Sequence, residues 1–147
     1  MTLQVYLDTS ALVKRYVAED GSDAVADLLN AAEYQAASIV TEAELPAALG
    51  RATRVGAISE RDGQAALKAW QKDREELLWI QLPQNTAQQA GKLAWQEGLR
   101  GYDAIHLATA LWWQANLGQE LVVATYDREL WRAAKKHGLS VFPEQEP

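Results

Sequence analysis

The chain has 147 residues, about one domain at the usual ~100–200 residues per domain, and its 48% hydrophobic and 23% charged content excludes disordered, collagen-like and heptad-repeat classes. Fourteen Lys and Arg against 20 Asp and Glu leave a net charge of −6, so no surface grips nucleic acid or an anionic membrane as a whole and any such contact is local. The absence of cysteine removes disulfides, thiolate nucleophiles, iron–sulfur clusters and cysteine-ligated zinc, and suits a reducing compartment.

Residues 3–7 form a short run of β-formers ending at Asp8, which predicts a buried strand. Helical patterns follow at 10–16 and 22–33, the second with Ser22 as its cap. A weaker strand at 34–38 leads to helices at 41–53 and 59–77, the latter capped by Ser59, and Pro46 is expected to shift the start of the first. Another weak strand at 77–82 precedes helices at 86–97 and 102–115. A second strong strand at 121–125 ends just before Asp127; a helix at 128–137 stopped by Gly138, a weak strand at 139–142 and a polar tail complete the chain.

Strands separated by helices predict a single domain over 1–147: an α/β fold, a three-layer α/β/α sandwich with a mainly parallel sheet. The N-terminus has no signal-peptide pattern and no stretch nears ~18 apolar residues, so a cytoplasmic protein with no membrane segment is expected. Residues 103–113 are apolar on nearly every side, which predicts burial against the sheet on one face and against something else, such as a second subunit, on the other. The six tryptophans are expected in the core or an interface.

His106 and His137 are the only histidines and neither lies in a recognisable motif, so the available chemistry is mostly carboxylate. In an open parallel sheet the functional crevice lies beyond the carboxyl ends of the strands. Asp8 and Asp127 follow the two strongest strands, Asp103 opens the apolar helix, and Glu44 lies in the first turns of the helix after the 34–38 strand. Together they would repel and raise one another's pKa, a conflict that a hard divalent cation removes. Mg²⁺ or Mn²⁺ at such a site polarises a phosphodiester and activates water. Each acid also has an ordinary use: Asp8 and Asp127 as helix caps, Glu44 in a Thr41-Glu-Ala-Glu capping box, Asp103 against a helix dipole.

Four segments carry a resemblance: Leu7-Asp-Thr-Ser-Ala-Leu-Val-Lys14, Ser38-Ile-Val-Thr-Glu-Ala-Glu-Leu45 with Arg51 two turns on, Leu99-Arg-Gly-Tyr-Asp-Ala-Ile-His-Leu-Ala108, and Val123-Ala-Thr-Tyr-Asp-Arg128. In their order and spacing the chain resembles PIN-domain ribonucleases, most closely the VapC-type toxins of bacterial toxin–antitoxin pairs, over essentially its full length. The resemblance implies an acidic Mg²⁺ or Mn²⁺ site that cuts RNA, with Asp8 and Asp103 as principal metal ligands and Glu44 and Asp127 as third and fourth acids. Ser10 and Thr125 match polar positions beside that site. It further implies a homodimer and a cognate VapB-type antitoxin that blocks activity. Glu42, two residues from Glu44, stays open as the third acid, although Glu44, Ala48 and Arg51 share a helical face. Tyr102 stands where the family more often has an aliphatic residue.

Lys14, Arg51, Arg100 and Arg128 are candidate phosphate contacts at the rim, while other arginines are expected to pair with acids, as Arg54 with Glu60. Two competing functions use the same residues. An aspartyl-phosphate phosphotransferase would use Asp8 as nucleophile but wants an aspartate where Ser10 stands, and a non-catalytic module would keep the fold and a weak metal site.

Overall fold

The structure, a computed structural model, describes residues 2–147. Its strands are β1 (Gln4–Leu7), β2 (Tyr34–Ser38), β3 (Leu78–Ile80), β4 (Val122–Ala124) and β5 (Ser140–Phe142), all parallel, in the order β3-β2-β1-β4-β5. The helices are α1 (Thr9–Leu12), α2 (Ser22–Ala31), α3 (Thr41–Arg54), α4 (Glu60–Asp73), α5 (Gln84–Glu97), α6 (Gly101–Leu117) and α7 (Arg128–Lys136). Short 3₁₀ turns extend α1 over Val13–Arg15 and α4 over Arg74–Glu76, so each of these predicted helices ends in a tighter turn.

Alternation along β1 divides the interior in two. Tyr6 faces a core built with α5, α6 and α7, including Leu93, Leu107, Trp113 and Leu130. Val5 and Leu7 face a second core with α1 to α4, including Leu12, Leu29, Leu45, Leu49 and Trp70. A sheet covered on both faces is the expected three-layer α/β/α sandwich.

Three local expectations are corrected. Gly21, not Ser22, stands at the head of α2; its φ of +93° suits glycine, and the Ser22 hydroxyl is spent on the Val17 carbonyl and the Glu19 amide. Pro46 does not shift α3, which begins at Thr41 with Val40 before it; the proline sits on the sixth residue, where one missing amide is tolerated. Thr41 forms no capping box either, its buried hydroxyl having no hydrogen-bond partner. Ser59 does cap α4, accepting from the Asp62 amide at 3.1 Å.

α6 is buried on most sides through Ala104, His106, Leu107, Ala108, Ala110 and Trp113, as its composition predicts. Trp70, Trp113 and Trp131 are core, but Trp95 on α5 is 91% exposed and Trp112 on α6 is 47% exposed. No helix among the described residues is long and apolar enough to cross a membrane.

Candidate active site

The chain leaves β1 toward β2 and β3 on one side and returns to β4 and β5 on the other, so the sheet's switch point lies between β1 and β4. A crevice opens at such a point beyond the strand ends. Asp8 is the first residue past β1, its amide bonded to the Ala124 carbonyl at 3.0 Å, which sets it beside Thr125. It stands at the N-cap of α1, yet its side chain makes no cap hydrogen bond. Its Oδ2 instead accepts from Ser10 Oγ at 2.5 Å and Thr125 Oγ1 at 2.8 Å.

Those hydroxyls are aimed by the backbone of the β4–α7 loop. The Tyr126 amide donates to Ser10 Oγ at 2.8 Å and the Asp127 amide to Thr125 Oγ1 at 3.0 Å. A hydroxyl that accepts an amide keeps its own proton to give, and both give it to Asp8. The segments Asp8-Thr9-Ser10 and Thr125-Tyr126-Asp127 thus form one clasp that orients a buried carboxylate.

Glu44 reaches the same edge from the first turn of α3. Its Oε1 accepts from Thr9 Oγ1 at 2.9 Å and lies 2.7 Å from His106 Nε2. That nitrogen is also 3.4 Å from Asp8 Oδ1, so the imidazole sits between two acids. Burial pushes the Glu44 carboxyl up, but His106 and Thr9 outweigh it and hold the group below its ordinary value. Burial opposes charge on His106, yet Asp8 and then Glu44 raise its pKa. The expectation that crowding raises every acid is therefore corrected at Glu44, where the protein supplies its own donor.

Asp103, in the first turn of α6 and 8% exposed, follows the expected direction. Burial raises its pKa, the charges of Asp127 and Asp8 add to that, and Arg100 opposes them. Arg100 bridges the remaining pair, with Nε 3.0 Å from Asp103 Oδ2 and Nη2 2.8 Å from Asp127 Oδ2. Asp127 keeps its ordinary use as well, since its Oδ1 caps α7 through the Leu130 amide at 2.9 Å. Asp127→Ala is therefore expected to cost about 1 kcal/mol in urea unfolding, and Asp127→Asn, which retains a capping oxygen, clearly less.

All four predicted acids are thus brought to one sheet edge, as Glu44–His106–Asp8 and Asp103–Arg100–Asp127, and Asp8's charge is felt at Asp103. Among the described residues no three Asp, Glu or His side chains form a ready-made metal cage. The donor set nonetheless fits a hard divalent ion. Its oxygens are carboxylates, and the Arg100 cation holding two of them is 74% exposed, on the solvent side of the pair.

Glu42 points elsewhere, clamped by both Arg74 donors. Among the rim cations, Lys14 is largely occupied: its ammonium lies 3.1 Å from Glu19, 2.7 Å from the Asp20 carbonyl and 4.3 Å above the Tyr126 ring. Arg128 donates to the Pro147 carbonyl at 3.0 Å, and Arg51 is exposed on α3. The expected Arg54–Glu60 pair is absent among the described residues; both line a groove between α3 and α4 instead. Sequence reasoning missed His106. The signal was its spacing, three residues after Asp103 and so near the same helix face, but its apolar neighbours disguised it.

A family model described as PIN domain matches residues 5–136. Ribonuclease VapC49 of Mycobacterium tuberculosis is 36% identical over 141 residues, covering 96% of this chain and 96% of that protein. Among solved structures, VapC20 of Mycobacterium tuberculosis, described as a sarcin-ricin loop cleaving toxin, is similar at a TM-score of 0.65 and 14% identity, covering 97% of this chain and 99% of that one. A toxin–antitoxin complex from Klebsiella pneumoniae is similar at a TM-score of 0.62 and 19% identity, with 97% and 99% covered. At those identities the two structures share their fold with this chain.

Proposed function

We propose that this chain, which belongs to the PIN-domain family, is a metal-dependent endoribonuclease and the toxin of a toxin–antitoxin pair. The observation that carries the reading is the meeting of Asp8, Glu44, Asp103 and Asp127 at the β1–β4 switch point, with Asp8 oriented by two aimed hydroxyls. Similarity over nearly the full chain to a protein named a ribonuclease supports it.

Asp8 and Asp103 would hold Mg²⁺ or Mn²⁺, with Glu44 and Asp127 completing the acidic rim. When bound, such an ion supplies positive charge to the scissile phosphate and makes water a competent nucleophile. Ser10 and Thr125 keep the Asp8 carboxylate pointed into the site. Arg100, released from Asp103 and Asp127, takes a phosphate oxygen, and Lys14 braces the loop beneath; Arg128, held by the Pro147 carbonyl, and Arg51, in the last turn of α3, are the other cations a longer RNA would meet. A chain of net charge −6 with so few free cations binds RNA weakly, and selectivity then rests on RNA shape or unpaired loops.

The toxin reading also supplies partners: a VapB-type antitoxin, and a second copy, for which Trp95 on α5 and Trp112 on α6 are exposed apolar side chains. Its place of action is the cytoplasm, where RNA and antitoxin meet. The test is single-turnover cleavage of structured RNA with Mg²⁺ or Mn²⁺. Cleavage is expected to stop on chelation and to fall by more than about 100-fold in Asp103→Asn. Equal rates with and without metal, or in wild type and variant, would overturn the reading.

A further inference from the structure

His106 is a fully buried polar side chain whose two ring nitrogens are both engaged, and the acid cluster explains only one of them. Nε2 meets Glu44 Oε1 at 2.7 Å, and Nδ1 meets Tyr6 Oη at 2.7 Å. Glu44 Oε1 already accepts from Thr9 Oγ1 at 2.9 Å, and a carboxylate oxygen in that role has no proton to give. Nε2 therefore carries the hydrogen and donates it, whichever way the proton between Nδ1 and Tyr6 is shared.

The ring is fixed from behind. Tyr6 is 0% exposed in the middle strand and packs edge-on against the imidazole, with centroids 5.9 Å apart and planes at 66°. One buried line thus runs from β1 through α6 to α3, the elements that carry or precede Asp8, Asp103 and Glu44. Both donors to Glu44, Thr9 and His106, land on the same oxygen, Oε1, so Oε2 is the one left for a ligand.

We infer that His106 is a positioning residue: anchored by Tyr6, its Nε2–H fixes the Glu44 carboxylate so that Oε2 is presented to the divalent ion or to the water around it. The inference rests on the proposed function, because it assigns His106 a part in that same site. Supporting side chains of this kind typically change metal affinity or activity by ~10–100-fold when removed.

Two substitutions separate the ring's two bonds. In His106→Gln the amide nitrogen takes the place of Nε2 and keeps the donor to Glu44; in His106→Asn it takes the place of Nδ1 and keeps only the Tyr6 side. Calorimetric titration of folded protein with Mn²⁺ is expected to show a loss of about 10–100-fold for His106→Asn and only a few-fold for His106→Gln. On a Glu44→Gln background His106→Asn should cause no further loss. Tyr6→Phe, which keeps the ring and removes the anchor, should lose affinity in the same direction to a smaller extent, and serves should His106→Asn not fold. Equal losses for Gln and Asn, a full additional loss on the Glu44→Gln background, or no loss in Tyr6→Phe with a non-folding Asn variant would overturn the inference. Wild-type protein that binds Mn²⁺ no better than His106→Asn overturns this inference alone, and wild type that takes up no Mn²⁺ overturns the nuclease reading with it.

Discussion

Asp8→Asn is expected to lower single-turnover RNA cleavage by more than about 100-fold while the protein stays folded. Asparagine has nearly the shape of aspartate, so the clasp between the β1 and β4 loops can still close. Its amide oxygen can take the place of Oδ2 and accept from both Ser10 and Thr125. What disappears is the charge, and with it the central ligand for a hard cation and the attraction that holds His106 between Asp8 and Glu44. Cleavage measured beside a thermal melt separates the effects: activity collapses and the midpoint moves little.

Leu107→Ala is expected to do the reverse. Leu107 is 0% exposed in the core between α6 and the sheet, next to His106 and one turn beyond Asp103. Removing its side chain there leaves a cavity, which costs about 2–5 kcal/mol of stability. The acids themselves are untouched. Urea unfolding should therefore show a large fall in midpoint, while cleavage per folded molecule, measured well below the transition, should stay close to wild type. A large loss of activity per folded molecule would mean that α6 does not hold Asp103 and His106 rigidly enough to survive a neighbouring void.

The architecture was legible because its signals are local. Five β-rich runs alternate with helical periods, and every predicted strand lies within two residues of its observed bounds. Asp8, Asp103 and Asp127 were legible because each stands at the end of a strand or the start of a helix, where a parallel sheet opens its crevice. The choice between Glu44 and Glu42 needed the fold, since only tertiary packing decides that Arg74 takes one and His106 the other.

His106 was hidden for the same reason. A lone histidine in an apolar helix carries no spacing of its own, and its partners Tyr6 and Glu44 lie 100 and 62 residues away. The rim cations misled in the opposite sense. Lys14 and Arg128 stand near the acids in sequence, but their groups are used by Glu19, the Asp20 carbonyl and the Pro147 carbonyl, contacts that no periodicity announces. Ser22 looked like a cap because its type favours one. The left-handed Gly21 and the close approach of Tyr126, whose hydroxyl would lie 2.6 Å from a side-chain carbon at that position, instead fix how α2 begins.

On the proposed function, four carboxylates from separate elements share one site because a divalent ion occupies it during catalysis. The most direct measurement is a crystal structure with Mn²⁺ at a concentration that supports cleavage, the ion located by its anomalous scattering. A peak between Asp8 and Asp103, with Arg100 moved off Asp103, is the predicted result. A peak away from these residues, or none with Arg100 still bridging Asp103 and Asp127, would contradict it.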